Sequence, residues 1–444
     1  MRISLATLGC KVNHHDSAAM AELLRKDGHE IVPFPGPADL YVVNTCTVTA
    51  KTDFQSRQLV RRIRRSGGNA PVVVTGCYAQ TNPDDLAALE GVALVLGNSE
   101  KPRLNRWIAD LPAKRTVIHV EDMERERDCF SPPVAGIPGR TRAFLKIQDG
   151  CDGRCSYCIV PRARGRSRSL PPDEVHRRMA LLSGAGFAET VLTGIHLGRY
   201  GEDLDPRTNL LDLLRGIEER GGTSALRLSS IEPAEVTGGL VSFWKASSLL
   251  CPHVHIPLQS GSDAVLGRMG RPYDRAFFRN LVESLVDAVP GMAVGVDVMA
   301  GFPGETEEDF RDTAALLREL PIAYFHVFPY SKRPGTAASS FAGHVREEVK
   351  KARAAELRTL SVEKRTAFAI QFLGKPLSVL VEGKKNGETG GFRGFSGNYI
   401  PCLIRGRGDV PVGRAVTVIP EELRGGVLVG QAAAPARRAH RKTP

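Results

Sequence analysis

Three cysteines lie within eight residues of one another near the middle of the chain. Cys151, Cys155 and Cys158 form a CxxxCxxC run in the segment FLKIQDGCDGRCSYCIVPRARGRSRS. Three thiolates in a short loop that contains glycine can bind three corners of a metal cluster, and a 4Fe-4S cluster held in this way keeps one iron open. A zinc site completed by a fourth ligand from elsewhere in the chain is the alternative.

A second group of cysteines is spread over the first 80 residues. Cys10, Cys46 and Cys77 each lie at or just beyond the carboxyl end of a predicted strand, in ISLATLGC, LYVVNTC and VVVTGC. In an open α/β sheet this edge is where ligands bind, so residues far apart in sequence could converge there on one metal centre. Three buried structural cysteines are the alternative. The remaining cysteines have no cysteine neighbours and are predicted to pack in the interior: Cys129, Cys251 and Cys402.

Composition limits the class of protein. The 444 residues predict two or three domains, and 60 Lys and Arg against 49 Asp and Glu give a net charge of +11, which favours a polyanionic partner. No uncharged apolar run reaches the roughly 18 residues that a membrane span needs. Lys11 and the pair His14 and His15 interrupt the apolar start, so we expect no signal peptide and a cytoplasmic protein without disulfide bonds.

The elements that must position these cysteines follow from the hydrophobic pattern. Strand-like runs at 3–8, 40–44, 72–75 and 93–96 alternate with amphipathic segments, which predicts an open parallel-sheet α/β domain over residues 1–115. Residues 116–140 are charged and then rich in Pro and Gly, as is typical of a linker.

Strand-helix alternation resumes after this linker. Six βα units over residues 141–372 predict a partial (β/α)6 barrel whose active site faces the carboxyl ends of the strands. Short β-branched runs broken by glycine predict a small C-terminal β-barrel over 373–430, and 431–444 is predicted to be a basic tail. The fold class is therefore α/β with a small all-β module.

The loop at Cys151, Cys155 and Cys158 resembles that of radical S-adenosylmethionine (SAM) enzymes. Together with the N-terminal cysteine triad and the C-terminal barrel, it makes nearly the whole chain similar to the methylthiotransferases. This resemblance implies a radical SAM barrel, a TRAM module that binds RNA, and two 4Fe-4S clusters. Cys151, Cys155 and Cys158 would hold the SAM cluster, and Cys10, Cys46 and Cys77 the auxiliary cluster that delivers sulfur. Two SAM molecules would be used per turnover.

The segments TLGCKVN and TGIHLGRYG most resemble the branch of this family that acts on threonylcarbamoyladenosine. This implies addition of a methylthio group to carbon 2 of N6-threonylcarbamoyladenosine beside the tRNA anticodon. The same chemistry on N6-isopentenyladenosine in tRNA, or on an aspartate of a ribosomal protein, is the alternative within the family. Outside it, we consider a metal-containing RNA-binding protein and an electron carrier with two clusters.

The resemblance also directs attention to further residues and partners. Residues expected to contact SAM lie in the loop or at strand ends: Tyr157, Thr193, Gly194, Glu232 and Gln259. Residues expected to contact RNA follow the loop or lie in the C-terminal barrel: Arg162, Arg164, Arg166, Arg168, Arg393 and Phe395. We expect a flavodoxin or ferredoxin as electron donor, and a monomer. His14 and His15 are interpreted as surface or helix-start residues, and Cys251, His253 and His255 as members of a buried barrel strand.

Overall fold

The structure is a computed structural model. It describes residues 1–66, 68–111, 115–134, 136–137, 139–382, 391–405 and 410–433. Within these ranges the predicted fold class is confirmed: an N-terminal parallel sheet, a central arc of parallel strands and a closed C-terminal β-barrel. No helix in the described ranges is long and apolar enough to cross a membrane.

The N-terminal domain contains one six-stranded sheet in which every neighbouring pair is parallel. Its strands are β1 (Arg2–Thr7), β2 (Glu30–Val32), β3 (Leu40–Thr45), β4 (Val72–Gly76), β5 (Val92–Leu96) and β6 (Val117–His119). They lie side by side in the order β2-β1-β3-β4-β5-β6. The carboxyl ends of β1, β3 and β4 therefore meet at one edge of the sheet.

Helices cover both faces of this sheet. They are α1 (Lys11–Lys26), α2 (Ala50–Ser66), α3 (Cys77–Thr81), α4 (Pro83–Ala87) and α5 (Leu104–Ala109). Successive residues of β3 point to opposite faces: Val42 packs in the same cluster as Met20 of α1, whereas Val43 packs in the cluster of Val60 of α2. Each face thus has its own apolar core.

The predicted linker differs from the structure at its start. Val117–His119 form β6, parallel to the edge strand β5, and Trp107 of α5 stacks on the ring of His119 at 3.8 Å between centroids. The β-branched pair Val117 and Ile118 fits a strand, and its backbone groups satisfy an otherwise open sheet edge.

The central domain is an arc of six parallel strands. They are β7 (Arg142–Lys146), β10 (Glu189–Thr193), β11 (Ala225–Leu228), β12 (His253–Gln259), β13 (Ala293–Ala300) and β14 (Tyr324–Pro329). The arc consists of the three-stranded sheets β7-β10-β11 and β12-β13-β14. Isolated parallel bridges, Leu226 with Leu250 and Ser230 with His255, join them. This is the partial barrel that the sequence predicts.

The barrel helices are α6 (Val160–Arg164), α7 (Pro172–Gly184), α8 (Leu210–Arg220), α9 (Gly238–Ala246), α10 (Asp263–Met269), α11 (Arg275–Ala288), α12 (Glu307–Glu319) and α13 (Glu347–Ile370). A two-residue antiparallel ladder of β8 (Gln148–Asp149) and β9 (Arg168–Ser169) closes the base of the loop that contains Cys151. Both ends of this loop are therefore fixed on the carboxyl side of β7.

The C-terminal module is a closed five-stranded barrel. Its strands are β15 (Leu377–Val381), β16 (Gly391–Ser396), β17 (Pro401–Arg405), β18 (Ala415–Arg424) and β19 (Val427–Ala432), in the order β15-β16-β17-β19-β18. Ala369, at the end of α13, packs into the core of this barrel with Val379 and Phe392. The last strand extends two residues past the predicted boundary at 430, and residues 434–444 of the predicted tail lie outside the described residues.

Candidate active site

The CxxxCxxC loop lies between β8 and α6, at the carboxyl ends of the barrel strands. Its entry is tight: Gly150 has φ +72°, and a Cβ there would meet the carbonyl oxygen of Arg166 at 1.8 Å. The Cys151 N–H donates to the Gly165 carbonyl (2.9 Å), and the Cys158 N–H donates to the Cys155 carbonyl (3.0 Å). The loop is thus fixed by its own backbone before any cofactor binds.

Hydrogen-bond donors surround two of the three sulfurs in this loop. The backbone N–H of Gly153 lies 3.2 Å from the Cys151 Sγ, and the Nδ1 of His196 lies 3.1 Å from the same atom. Nη1 of Arg271 lies 3.2 Å from the Cys155 Sγ. Such donors stabilise thiolates, the form in which cysteine binds metal.

The Cys158 thiol needs a nearby positive charge to ionise. Burial raises the pKa of Cys158 to about 12, and the negative charges of Cys155 and Cys151 add to this effect. A metal cluster would supply the missing charge, so the three thiols and their donors fit a 4Fe-4S cluster. In the parts of the chain that the structure describes, no three Cys, His, Asp or Glu side chains converge tightly enough for one ion.

The N-terminal cysteines come together as the strand pattern predicts. Cys10 precedes α1, Cys46 follows β3, and Cys77 begins α3 directly after β4. A Cβ on Gly9 would lie 3.0 Å from the Cys46 Sγ, so the turn after β1 lies directly against Cys46. Burial and the nearby thiols of Cys77 and Cys10 raise the pKa of Cys46 to about 12. Cys46 therefore has the same need for a nearby positive charge as Cys158.

The edge that carries the N-terminal triad contacts the barrel domain at α6, the helix that follows the cysteine loop. Asn98 donates from Nδ2 to the Ala163 carbonyl of α6 (2.7 Å), and the same nitrogen lies 4.0 Å from the Cys77 Sγ. The Arg164 guanidinium donates to the side chain of Asn13, which in turn bonds the Leu8 carbonyl just before Cys10. The helix that follows the loop is thus in contact with the edge that carries the triad.

Comparison with known proteins agrees with this architecture. Residues 2–97 match the model described as Uncharacterized protein family UPF0004, and residues 145–317 match the Radical SAM superfamily. A Bacillus subtilis protein called threonylcarbamoyladenosine tRNA methylthiotransferase MtaB is 40% identical over 94% of this chain and 93% of its own length. The chain belongs to the radical SAM methylthiotransferase family.

Other relatives are similar to this chain to a comparable degree. The MtaB protein of Aquifex aeolicus is 37% identical over 94% of this chain and all of its own length. A Sorangium cellulosum protein called tRNA-2-methylthio-N(6)-dimethylallyladenosine synthase is 35% identical over 92% of this chain and 88% of its own. Among solved structures, the radical SAM methyltransferase TsrM from Kitasatospora setae matches with a TM-score of 0.59 and 18% identity, over 76% of this chain and 75% of that one. TsrM supports the fold alone.

The methylthiotransferase is thus an enzyme that uses SAM and an iron-sulfur cluster. The residues expected to contact SAM lie around the loop or at strand ends. Glu232 follows β11 and forms an ion pair with Arg271, and the Tyr157 hydroxyl lies 3.5 Å from Nη1 of the same arginine. Gln259 ends β12 with φ 67°. Their roles stay predictions.

Two further residues expected to contact SAM form the tight end of β10. Thr193 is buried, and its carbonyl accepts the N–H of Ile147 (3.0 Å). Gly194 packs on Gln148, whose side-chain oxygen would lie 2.8 Å from a Cβ at this position. A larger residue than glycine would therefore push against β8, at the base of the cluster loop.

Three residues around the cysteine loop, His196, Glu235 and Arg271, are not among those predicted from the sequence. His196 contacts Cys151, and its Nε2 lies 2.6 Å from Oε1 of Glu235. Arg271 contacts Cys155. Burial alone would lower the pKa of His196, but its contacts with Cys151 and Glu235 raise it to about 10. The signal for His196 was in the segment TGIHLGRYG; nothing local distinguished Arg271 from other arginines.

For two of the residues expected to contact RNA, the prediction is wrong. Arg164 and Arg168 are buried, at 2% and 5% exposure, because their guanidinium groups bond Asp149 and backbone carbonyls. They are not available to phosphates. Arg162, Arg166 and Arg393 are exposed and keep that prediction. Phe395 is half-buried and stacks on Tyr399 beneath the guanidinium of Arg142, so it faces the central barrel as well as its own module.

The histidine interpretations have mixed outcomes. His14 and His15 lie in the first turn of α1, as expected, but His15 is completely buried and so is not a surface residue. Its side of α1 packs against the barrel domain, which local periodicity cannot show. Cys251 and His253 are buried at the start of β12, and His253 bonds the Tyr324 hydroxyl (2.8 Å). His255 lies on the same strand, where Nδ1 bonds the Ser230 hydroxyl (2.8 Å).

Proposed function

We propose that this methylthiotransferase adds a methylthio group to carbon 2 of N6-threonylcarbamoyladenosine beside the anticodon of tRNA. The observation that carries the proposal is the 40% identity, over 94% of this chain, to a relative named for threonylcarbamoyladenosine in tRNA. Isopentenyladenosine is the second candidate, because a relative named for dimethylallyladenosine is 35% identical over 92% of the chain.

The two groups of three cysteines, on adjoining domains, support the chemistry of the proposal. The loop of Cys151, Cys155 and Cys158 would hold the SAM cluster, and Cys10, Cys46 and Cys77 a second 4Fe-4S cluster. When bound, the first cluster would supply the electron that splits SAM into methionine and a 5′-deoxyadenosyl radical, and the second would supply the sulfur for the product. Carbon 2 of the base needs a radical route because side-chain acid-base chemistry does not activate such a C–H bond.

The protein's own residues would hold and orient these partners. Arg271 and His196 donate toward the sulfurs of Cys155 and Cys151, and Glu232 fixes Arg271. The contact of Asn98 with Ala163 holds the triad edge against the helix that follows the loop, an arrangement that would let one substrate reach both cysteine groups. Two SAM molecules per turnover, a flavodoxin or ferredoxin as reductant, a cytoplasmic location and a monomeric enzyme complete the proposal.

Mass spectrometry of tRNA nucleosides from a strain that lacks the gene tests the substrate. We expect loss of methylthiolated threonylcarbamoyladenosine, retention of its unmethylthiolated precursor, and recovery when the gene is restored. Loss of the methylthiolated isopentenyl nucleoside alone would contradict the proposal in favour of the second candidate. Tryptic peptides of ribosomal proteins from the same strain serve as control and should be unchanged.

Substitution of single cysteines tests the two-cluster assignment. Anaerobically prepared wild-type enzyme should contain about eight iron atoms and as much acid-labile sulfide. Cys155→Ala should abolish formation of 5′-deoxyadenosine, because the SAM cluster loses a ligand. Cys46→Ala should keep part of this activity and form no methylthio product.

The control for these variants is Cys402→Ala, in the core of the C-terminal barrel. It should keep the full iron content and both activities. Methylthiolation by Cys46→Ala would exclude the auxiliary cluster from the triad, and zinc without sulfide in the wild-type protein would exclude both clusters.

A further inference from the structure

A large cavity lies inside the central barrel and has no role in the chemistry described so far. Its volume is about 620 Å³, and it is bounded by β7, β11, β12 and β14, with the C-terminal barrel on one side. Its charged lining is mostly cationic: Lys11, Arg140, Arg142 and Arg227 face a single carboxylate, Glu382. One wall of the cavity is formed by Lys11, the residue that directly follows Cys10.

Arg227 is the least satisfied of these cations. Its side chain is 2% exposed, and Nε donates to Glu189 Oε1 at 2.7 Å. The two terminal nitrogens of its guanidinium have no hydrogen-bond partner among the described residues. Leaving such donors buried and unbonded is costly, and a planar guanidinium fork matches a carboxylate with two parallel hydrogen bonds.

The neighbours of Arg227 hold it in place without bonding its two terminal nitrogens. Arg142 donates from Nε to the same Glu189 oxygen (2.8 Å) and from Nη1 to Glu382, and its Nη2 also has no partner in the described parts of the chain. Two guanidinium groups thus share Glu189. The ring of Tyr399 lies under Arg227, 4.9 Å from its Cζ, and fixes the plane of the fork.

We infer that this cavity binds a carboxylate on the N6 substituent of the substrate base, with the two terminal nitrogens of Arg227 as its donors. The inference rests on the proposed function and deepens it, because the threonylcarbamoyl group ends in a carboxylate and the isopentenyl group is uncharged. A neutral substituent would leave the guanidinium dehydrated and unpaired, so the cavity selects for the anionic group. Arg142 and Lys11 add positive charge around it.

An RNA phosphate is the other possible anion, but the cavity disfavours it. Arg227 lies on β11 over the ring of Tyr399, and its two terminal nitrogens are buried. RNA-binding proteins contact backbone phosphates through exposed arginines, whereas Arg227 is buried.

The test uses full-length holoenzyme and three anticodon hairpins. One hairpin carries N6-threonylcarbamoyladenosine, the second its methyl ester, and the third unmodified adenosine. Wild-type enzyme should bind the acid about 10- to 100-fold more tightly than the ester, as expected for charged hydrogen bonds lost to a neutral group. Arg227→Met should bind acid and ester equally, and Arg227→Lys should recover only part of the preference.

Two controls separate this role from loss of structure. Arg215→Met, on the exposed side of α8, should keep the wild-type ratio of acid to ester. The loss of affinity in Arg227→Met should be confined to the acid hairpin, because the ester and the unmodified adenosine offer no charged partner to this guanidinium. An unchanged ratio in Arg227→Met would overturn the inference, and so would an equal loss of affinity for all three hairpins, which would indicate a phosphate contact.

Failure of the proposed function has a different signature. The wild-type enzyme would then methylthiolate a hairpin with isopentenyladenosine and leave the threonylcarbamoyl hairpin unchanged. That result would overturn both the function and the inference. Product from the threonylcarbamoyl hairpin together with an unchanged ratio in Arg227→Met would overturn the inference alone.

Discussion

Two neighbouring residues of α1, His15 and Asp16, are completely buried where the N-terminal domain meets the barrel. Burial alone would raise the pKa of Asp16, but the cations Lys101, Lys146 and Arg164 hold it well below its usual range. His15 has no such partner among the described residues. Burial, with the added charge of Lys146, lowers the pKa of His15 to about 3. A charged carboxylate and a neutral imidazole are thus adjacent in one interface.

The buried neutral histidine predicts a pH dependence of stability. Unfolded His15 takes up a proton below about pH 6.5, whereas folded His15 stays neutral down to about pH 3, so stability falls as the pH drops below 6.5. Between pH 7.5 and 5.5 this one residue should cost about 1.4 kcal/mol, or about tenfold in the protection of α1 amides against hydrogen exchange. His15→Leu should lack this part of the pH dependence.

A matched control for this measurement lies on the same helix. Met20 is also completely buried in α1 but does not titrate, so Met20→Leu should lower protection equally at both pH values and keep the wild-type slope. If His15→Leu and wild type show the same slope, then His15 takes up a proton in the folded state.

At the scale of elements, the site depends on strand ends and the turns that follow them. Cys10, Cys46 and Cys77 are placed by β1, β3 and β4, and the sequence predicted this because apolar runs ending in cysteine are a local pattern. The turn after β4 is the tightest of the three. Gly76 has φ +98°, and a Cβ there would lie 2.4 Å from the Thr45 carbonyl oxygen and 2.5 Å from the side chain of Asn44.

Gly76→Ala should therefore displace Cys77, so that the triad no longer binds its cluster. We expect the iron content to fall from about eight to about four per chain, with the SAM-cleaving cluster retained. Gly28→Ala is the matched control: Gly28 also has positive φ (+82°), but nothing lies within 4 Å of its missing Cβ. In both variants the left-handed backbone should lower the free energy of unfolding by about 1–2 kcal/mol, but only Gly76→Ala should lose iron. A full iron content in Gly76→Ala would show that the triad tolerates the movement.

At the scale of the whole molecule, the sequence predicted three modules but not how they are joined. The succession of strands along the chain, the cysteine loop and the C-terminal barrel follow from local periodicity. Strands β2 and β6 were not predicted, because three residues are too few to show the alternation of a strand. The contacts between modules join residues far apart in sequence: Arg142 with Glu382 across 240 positions, and Arg333 with Asp53 across 280. Such pairs depend on how the modules pack together, so no single segment of the sequence predicts them.

The contact of Arg333 links the loop after β14 to the N-terminal domain. Its guanidinium is 5% exposed and donates to Asp53 and to the Thr47 hydroxyl (2.8 Å), while the nearby Ser331 hydroxyl accepts the Ala50 N–H (2.9 Å). Thr47 directly follows Cys46, so this loop fixes the edge that carries the triad. Arg333 touches no proposed reacting group and is a positioning residue.

Arg333→Met should uncouple SAM cleavage from product formation. The loop at Cys151 stays intact in this variant, so 5′-deoxyadenosine should form at close to the wild-type rate, but a looser N-terminal domain holds the triad less precisely. Since misplacement by about 1 Å can cost about 100-fold in rate, we expect the methylthio product per 5′-deoxyadenosine to fall about tenfold or more, measured by mass spectrometry of both compounds in one reaction. Lys332→Met, exposed on the same loop, should keep the wild-type ratio. Equal losses of both compounds in Arg333→Met would mean that the arginine supports the barrel itself, and an unchanged ratio would mean that other contacts position the domain.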